Sequence, residues 1–119
     1  MTFQGCIPSQ ITLTDGSSAA ANIEKLYKLE EKINDILVQD YCSIAGDCEA
    51  YPFGSKACGG PKSYIVNSVN NRGSELQTLV EEYNSIEAEL NEFSGAISTC
   101  EYLMPPQNIK CVQNKCTLD

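Results

Sequence analysis

SELQTLVEEYNSIEAELNEFSGAI, residues 74–97, sets Leu76, Leu79, Tyr83, Ile86, Leu90, Phe93 and Ile97 at alternating steps of 3 and 4. That spacing holds them on one side of an α-helix, as an unbroken heptad seam. Ser74 and Gln77 fit a capping box at its front. Gly95 weakens the last turn, so the helix is expected to stop there. Residues 19–41 carry a second stripe of Leu26, Leu29, Ile33, Ile36 and Leu37, with Glu24, Lys25, Lys28, Glu31, Lys32 and Asp35 mostly off it. Ser17 or Ser18 is placed to cap that helix. A seam of about three heptads is short for a coiled coil with another chain, and each stripe needs cover. The two helices are therefore expected to pack on each other.

Seven cysteines accompany these helices, and histidine is absent. Cys42, Cys48 and Cys58 follow the first helix, and Cys100, Cys111 and Cys116 follow the second. Structural zinc sites use closer pairs, usually completed by histidine, and a redox motif needs C-x-x-C, which the chain lacks. Disulfides remain, and they place the protein outside a reducing cytoplasm. Bridges between the two groups close longer loops than bridges within them, which favours pairing across the groups. Cys6 leaves the count odd. Gly5-Cys6 matches part of a bacterial lipoprotein signal, in which a small residue precedes the acylated cysteine. Phe3 and Gln4 depart from that signal, and Phe3-Gln4-Gly5 also matches the end of a protease-cleavage tag. Lipid attachment at Cys6 is favoured over a free or intermolecular thiol.

Sixteen acidic residues against eight basic ones give a net charge of −8, which excludes nucleic acid and anionic membrane surfaces as expected partners. No stretch approaches the roughly 20 apolar residues of a membrane span, so membrane attachment would come only through lipid. At 13.0 kDa the chain reads as residues 1–18, an anchor and tether, and residues 19–119, one disulfide-stabilised domain. Three bridges at about 2–4 kcal/mol each would supply a large share of its stability.

The connector from Cys42 to Gly73 is far longer than a helical hairpin requires. It holds Ala50-Tyr51-Pro52-Phe53, an edge-strand candidate, and an extended stretch from Ser63 to Val69. In the tail, Cys111-Val112-Gln113-Asn114-Lys115-Cys116 reads as a tight hairpin turning at Gln113-Asn114. The fold class expected is mainly α with a small disulfide-bonded β element, built on two long amphipathic helices packed together. Periodicity leaves their relative direction open. A connector extended over residues 60–73 at about 3.3 Å per residue covers roughly 45 Å, enough to bring both helix ends beside one cluster of cysteines. This favours a parallel pair acting as a stalk, with the disulfide head turned away from the anchor.

Taken together, Cys42-x5-Cys48, Ala57-Cys58-Gly59-Gly60-Pro61 leading to Tyr64, the Glu82-Tyr83-Asn84 to Glu89-Leu90-Asn91 helix, and Cys111-x4-Cys116 resemble a set of small secreted or lipid-anchored bacterial proteins. The correspondence spans about Cys42 to Cys116 and departs at Asn67, where a second tyrosine is more usual. It implies an extracytoplasmic, periplasmic or cell-surface setting and disulfides, and it implies no chemistry.

Seryl catalysis lacks a histidine base, and paired cysteines are poor nucleophiles. Glu81-Glu82 and Glu87-Glu89 are expected on the exposed side of a helix, without a pocket. Asp40, Asp47 and Glu49 flank the first cysteine loop but match no calcium-loop pattern. No cofactor, metal or catalytic residue is assigned, and the chain is not expected to be an enzyme. Two glycines beside Cys58 supply backbone freedom and Pro61 fixes the exit direction. Gly59, Gly60, Pro61, Lys62 and Tyr64 are the candidate contacts for a protein or envelope partner, with Tyr51 and Phe53 serving packing first. The function expected is a non-catalytic, lipid-anchored envelope protein with a binding or structural role; the alternative is a secreted hydrolase inhibitor presenting the CGGP loop.

Overall fold

The computed structural model describes residues 16–118. Helix α1 (Gly16–Leu37) takes in Ser17 and Ser18 and ends at Leu37 rather than near Tyr41. After a single 3-10 turn at Ala45–Asp47, β1 (Cys48–Phe53) pairs antiparallel with β2 (Ser63–Ser68), placing Cys48 opposite Ser68 and Phe53 opposite Ser63. Helix α2 (Gly73–Ser94) follows and stops at Gly95, which takes a left-handed φ of 66°. A second antiparallel hairpin, β3 (Ile109–Val112) and β4 (Lys115–Leu118), closes the described chain. Gln113 and Asn114, with φ of 52° and 64°, form the expected turn, and two positive-φ residues give it a backbone twist that matches the right-handed twist of paired strands.

Two helices of 22 residues each stand beside two separate two-stranded sheets. The chain is thus mixed α and β, which overturns the expectation of a mainly α protein. The connector spends its length on its own strand pair, and that pair covers α2. Tyr51 joins Leu29, Ile33, Ile36, Leu76, Val80 and Tyr83 in the core, while the Phe53 ring stacks on Tyr83 at 4.5 Å between centroids. Because α2 faces both α1 and β1, its buried arc is wider than a coiled-coil seam. Val80, outside the heptad spacing, is buried; Phe93 and Ile97, within it, are exposed.

The helices run antiparallel, contrary to the parallel arrangement expected. Asn22 near the start of α1 donates to Glu89 near the end of α2, Tyr83 donates to Glu30, and Asn71, just before α2, donates to the Ile36 carbonyl near the end of α1. The connector does not run extended: it goes out as β1 and returns as β2, cancelling its own reach. Pairing across the two groups of cysteines holds, as Cys42–Cys111, Cys48–Cys116 and Cys58–Cys100. They form no single head. The first two bridges lie beside the C-terminus of α1, and the third lies beside the C-terminus of α2.

The capping box at Ser74 is not formed. Arg72, in a left-handed conformation, precedes the helix, and no side chain caps it. Gly73 lets the chain pass close to Tyr51: a Cβ there would stand 3.1 Å from the Tyr51 hydroxyl, which would have to give way by a few tenths of an ångström. Asn67 replaces the cap as the organiser of this corner. Fully buried, it donates to the carbonyls of Ser68 and Asn71 and accepts from the Asn71 amide.

At the other side of this corner, Asp40 is buried, and its two carboxylate oxygens accept the backbone N–H groups of Ser68 and Cys116, both at 2.8 Å. Helix α1 has no basic residue in its last turn. Lys115 of β4 supplies one, donating to the carbonyls of Val38 and Asp40 at the negative pole of the helix. Asn114 and Cys42 exchange hydrogen bonds at 2.9 Å in both directions. Replacing Asp40 with Ala orphans two buried donors at about 1–3 kcal/mol each, so the expected loss is roughly 2–6 kcal/mol in denaturant unfolding. Asp40→Asn, which keeps one acceptor, should lose about half as much. A loss below about 1 kcal/mol for Asp40→Ala would show that the corner holds without it.

Candidate functional site

The loop joining β1 to β2, residues 54–62, carries the residues singled out as a partner surface. One helical face of α2 holds it from below. Asn84, Glu87 and Asn91 recur at steps of 3 and 4, a polar stripe parallel to the apolar one. Asn84 accepts from the Gly54 N–H at 2.7 Å and donates to the Pro52 carbonyl at 2.9 Å. Glu87 accepts from the Ser55 N–H at 2.6 Å with one oxygen and from Lys62 Nζ at 2.9 Å with the other. Asn91 donates to the Ser55 carbonyl. Glu87 was expected on an exposed helix face; its side chain is only 14% accessible, because the hairpin tip covers it.

From the outer side, the segment after α2 completes the hold. Cys58 is bridged to Cys100, its N–H donates to Ser98 Oγ, and Lys56 Nζ reaches the Glu101 carbonyl. Within the loop, Lys56 and Gly60 are joined by a backbone hydrogen bond, as are Gly59 and Lys56. Gly59 and Gly60 take φ of 107° and 81°, values closed to residues with a Cβ at ordinary cost. The backbone-freedom reading of these glycines holds.

The five candidate residues do not form one uniform surface. Gly59 and Gly60 are exposed and Pro61 is half-buried. Lys62 is exposed but ion-paired to Glu87. The Tyr64 hydroxyl donates to the Leu103 carbonyl at 3.0 Å, so Tyr64 secures the tail. Desolvation, with the Tyr102 phenol beside it, raises its pKa. Tyr51 and Phe53 belong to the core as expected. What sequence reasoning missed is the tail's share: Ile97, Tyr102 and Met104, on a segment without regular structure, are all strongly exposed, and Tyr102 lies beside Gly60 of the loop. A groove of about 470 Å³ separates the loop from the end of α2, lined by small residues such as Ala57, Gly59, Ala88 and Ala96 together with Glu92.

The loop also lies at the end of the molecule where α1 begins, since Asn91 and Glu87 sit across from the first turns of α1. The expected stalk with a distal head is therefore not formed. Cys6 lies outside the described residues. The acidic residues near the first cysteines act separately: Asp40 in the buried corner, and Asp47 on the N–H groups of Ser43 and Ile44. Among the described residues, the one trio of ligand-type atoms within 4.8 Å of one another is Cys42, Cys48 and Cys116. All three sulfurs are oxidised in bridges, so they offer no thiolate to a metal.

Tyr83 links this site to the core. Burial, then the charges of Glu87 and Glu30, push its pKa up to about 12. Its folded value exceeds the unfolded reference of 10.0, so its contribution to stability is intact below pH 10 and is lost as pH rises toward 12. In an ultraviolet titration of the folded chain, Tyr83 should ionise near 12, and Glu87→Gln should lower that value while leaving it above 10. Ionisation of Tyr83 near 10 in the folded chain would contradict its burial under the hairpin.

No family model matches this chain, and no curated protein or solved structure is significantly similar to it.

Proposed function

We propose that this is a non-catalytic protein of the bacterial cell envelope, held by lipid at Cys6, that binds another envelope component through the 54–62 loop and the adjoining tail. Three disulfides in a chain of this size indicate an oxidising, extracytoplasmic environment. One observation supports the binding role. An exposed loop is tied down by a disulfide and by Asn84, Glu87 and Asn91, while Gly59, Gly60, the neighbouring Tyr102 and the tail's Met104 stay open to solvent. Ordering it in advance lowers the entropy lost on binding.

The inhibitor alternative draws on the same rigidity, but the geometry favours it less. Residues 56–60 curl into a turn with two left-handed glycines, whereas a substrate-like inhibitor presents extended backbone to its enzyme. Lys62, the natural anchor for such a site, is engaged by Glu87.

A photo-crosslinking residue placed at the exposed Ala57 of the loop in cells expressing the full chain should trap a defined envelope component, and the same residue at Ser85 on the exposed side of α2 should not. Identical adducts from the loop and from Ser85, or none from the loop, would contradict the binding role; a trapped hydrolase whose activity falls would select the inhibitor reading. Palmitate labelling that survives Cys6→Ser would contradict the lipid anchor.

A further inference from the structure

The three bridges differ in how far solvent reaches them. Cys42 and Cys116 are buried, at 1% and 8% exposure, and their partners Cys111 and Cys48 are half-buried. Cys58 and Cys100 are both exposed. Thiol–disulfide exchange requires a thiolate to reach one sulfur of the bond, so access decides which bridge reacts first. Cys58 moreover lines the groove of about 470 Å³ between the loop and the end of α2, where the small residues Ala57, Gly59 and Ala96 leave room beside it.

The bridges also differ in what they hold. Cys42–Cys111 and Cys48–Cys116 bracket the buried corner where Asp40 binds Ser68 and Cys116. Cys58–Cys100 instead ties the 54–62 loop to a tail whose residues 96–105 are all exposed and belong to no helix or strand. The tail's other ties to the hairpin include exposed hydrogen bonds, from the Cys58 N–H to Ser98 Oγ, from Lys56 Nζ to the Glu101 carbonyl and from the Tyr64 hydroxyl to the Leu103 carbonyl. The loop keeps a separate hold on α2, through Asn84 at Gly54 and through Glu87 and Asn91 at Ser55, and none of these contacts passes through Cys58. In sequence, Cys58–Cys100 spans 42 residues inside the loops of 69 and 68 that the other bridges already close, so its own restriction of the unfolded chain is the smallest of the three.

We propose that Cys58–Cys100 is a redox-sensitive latch, opened by a dithiol reductant while the other two bridges stay closed. A thiolate of the reductant attacks Cys58 Sγ from the groove; the S–S bond breaks, Cys100 leaves as a thiolate, and a mixed disulfide joins Cys58 to the reductant. The reductant's second thiolate then displaces Cys58 and closes the reductant's own disulfide. Two electrons have passed to the bridge, and the two protons released by the reductant's thiols return through solvent to Cys58 and Cys100. Opening frees residues 96–108, which stay attached at Gly95 and at Cys111, and the domain remains folded around the Asp40 corner. The latch does not depend on the role proposed for the loop, since its state is read from the chain alone.

The probe is dithiothreitol, itself a dithiol, added to the full oxidised chain without denaturant, with samples quenched by alkylation and mapped by peptide mass. Cys58 and Cys100 should become alkylated together, about tenfold or more faster than Cys42, Cys48, Cys111 and Cys116. At that stage the far-ultraviolet circular dichroism should keep its helical signal, and oxidised glutathione should restore the same pair. Cleavage after Glu101, the one glutamate of the tail, by a glutamate-specific protease should speed up about tenfold once the bridge is open. Cys58→Ser combined with Cys100→Ser should still form the other two bridges and show the same faster cleavage. Comparable rates for the three bridges, or Cys58–Cys100 opening last, would overturn the proposal. So would loss of the helical signal when this bridge alone is reduced, cleavage after Glu101 that does not change, or a double variant that fails to form the other two bridges.

Discussion

The carboxylate of Asp40 is the constraint on which the rest of the architecture depends. It sits just past the end of α1, and its oxygens hold the last residue of β2 and a residue of β4, so three segments distant in sequence are fixed to one buried point. An ionised group is costly to bury unless its acceptors are filled, and the two N–H groups at 2.8 Å fill them from the backbone. Two bridges surround the point. Cys42–Cys111 ties the connector to β3 across 69 residues, and Cys48–Cys116 ties β1 to β4 across 68. Loops of that size lose roughly 4 kcal/mol of chain entropy in the unfolded state when closed, though nested loops do not add fully. Disulfide and carboxylate thus act on the same joint from opposite states, one by restricting the unfolded chain and the other by satisfying the folded one.

From that joint the molecule extends rather than rounds off. Its radius of gyration is 17.9 Å, against roughly 13 Å for a compact chain of this length. The core is correspondingly thin, and large apolar side chains from Ile23 to Met104 remain exposed. At the far end the third bridge, Cys58–Cys100, and the polar stripe of Asn84, Glu87 and Asn91 do the work that a larger core would do elsewhere. The tail then returns from Cys100 to Cys111, joining the two ends, with Tyr64 holding it midway at Leu103.

Much of this was legible in the residues. Leu29, Ile33 and Ile36 mark the buried side of α1, Gly95 ends α2, and Gln113-Asn114 turns the last hairpin, because each depends on neighbours within a turn or two. The pairing of early with late cysteines was legible from loop entropy. Helix direction was not, since an apolar stripe encodes which face is covered and nothing about which way the neighbour runs. Asp40 and Asn67 were equally opaque: a polar residue becomes a core residue only when distant donors and acceptors converge on it. The stripe of Asn84, Glu87 and Asn91 was readable in principle, because polar groups at helical spacing beside an apolar seam imply a second docked element. The wider arc of α2, with Val80 inside it and Phe93 outside, follows from that second element and explains why the heptad reading failed at its end.

Disulfide mapping tests the account most directly, because the antiparallel joint and the returning tail require the bridges to run between the two groups of cysteines. Peptide mass mapping of the unreduced native chain, digested at low pH to prevent exchange, should yield Cys42 linked to Cys111, Cys48 to Cys116 and Cys58 to Cys100. Recovery of local pairs instead, Cys42 with Cys48 and Cys111 with Cys116, would contradict it.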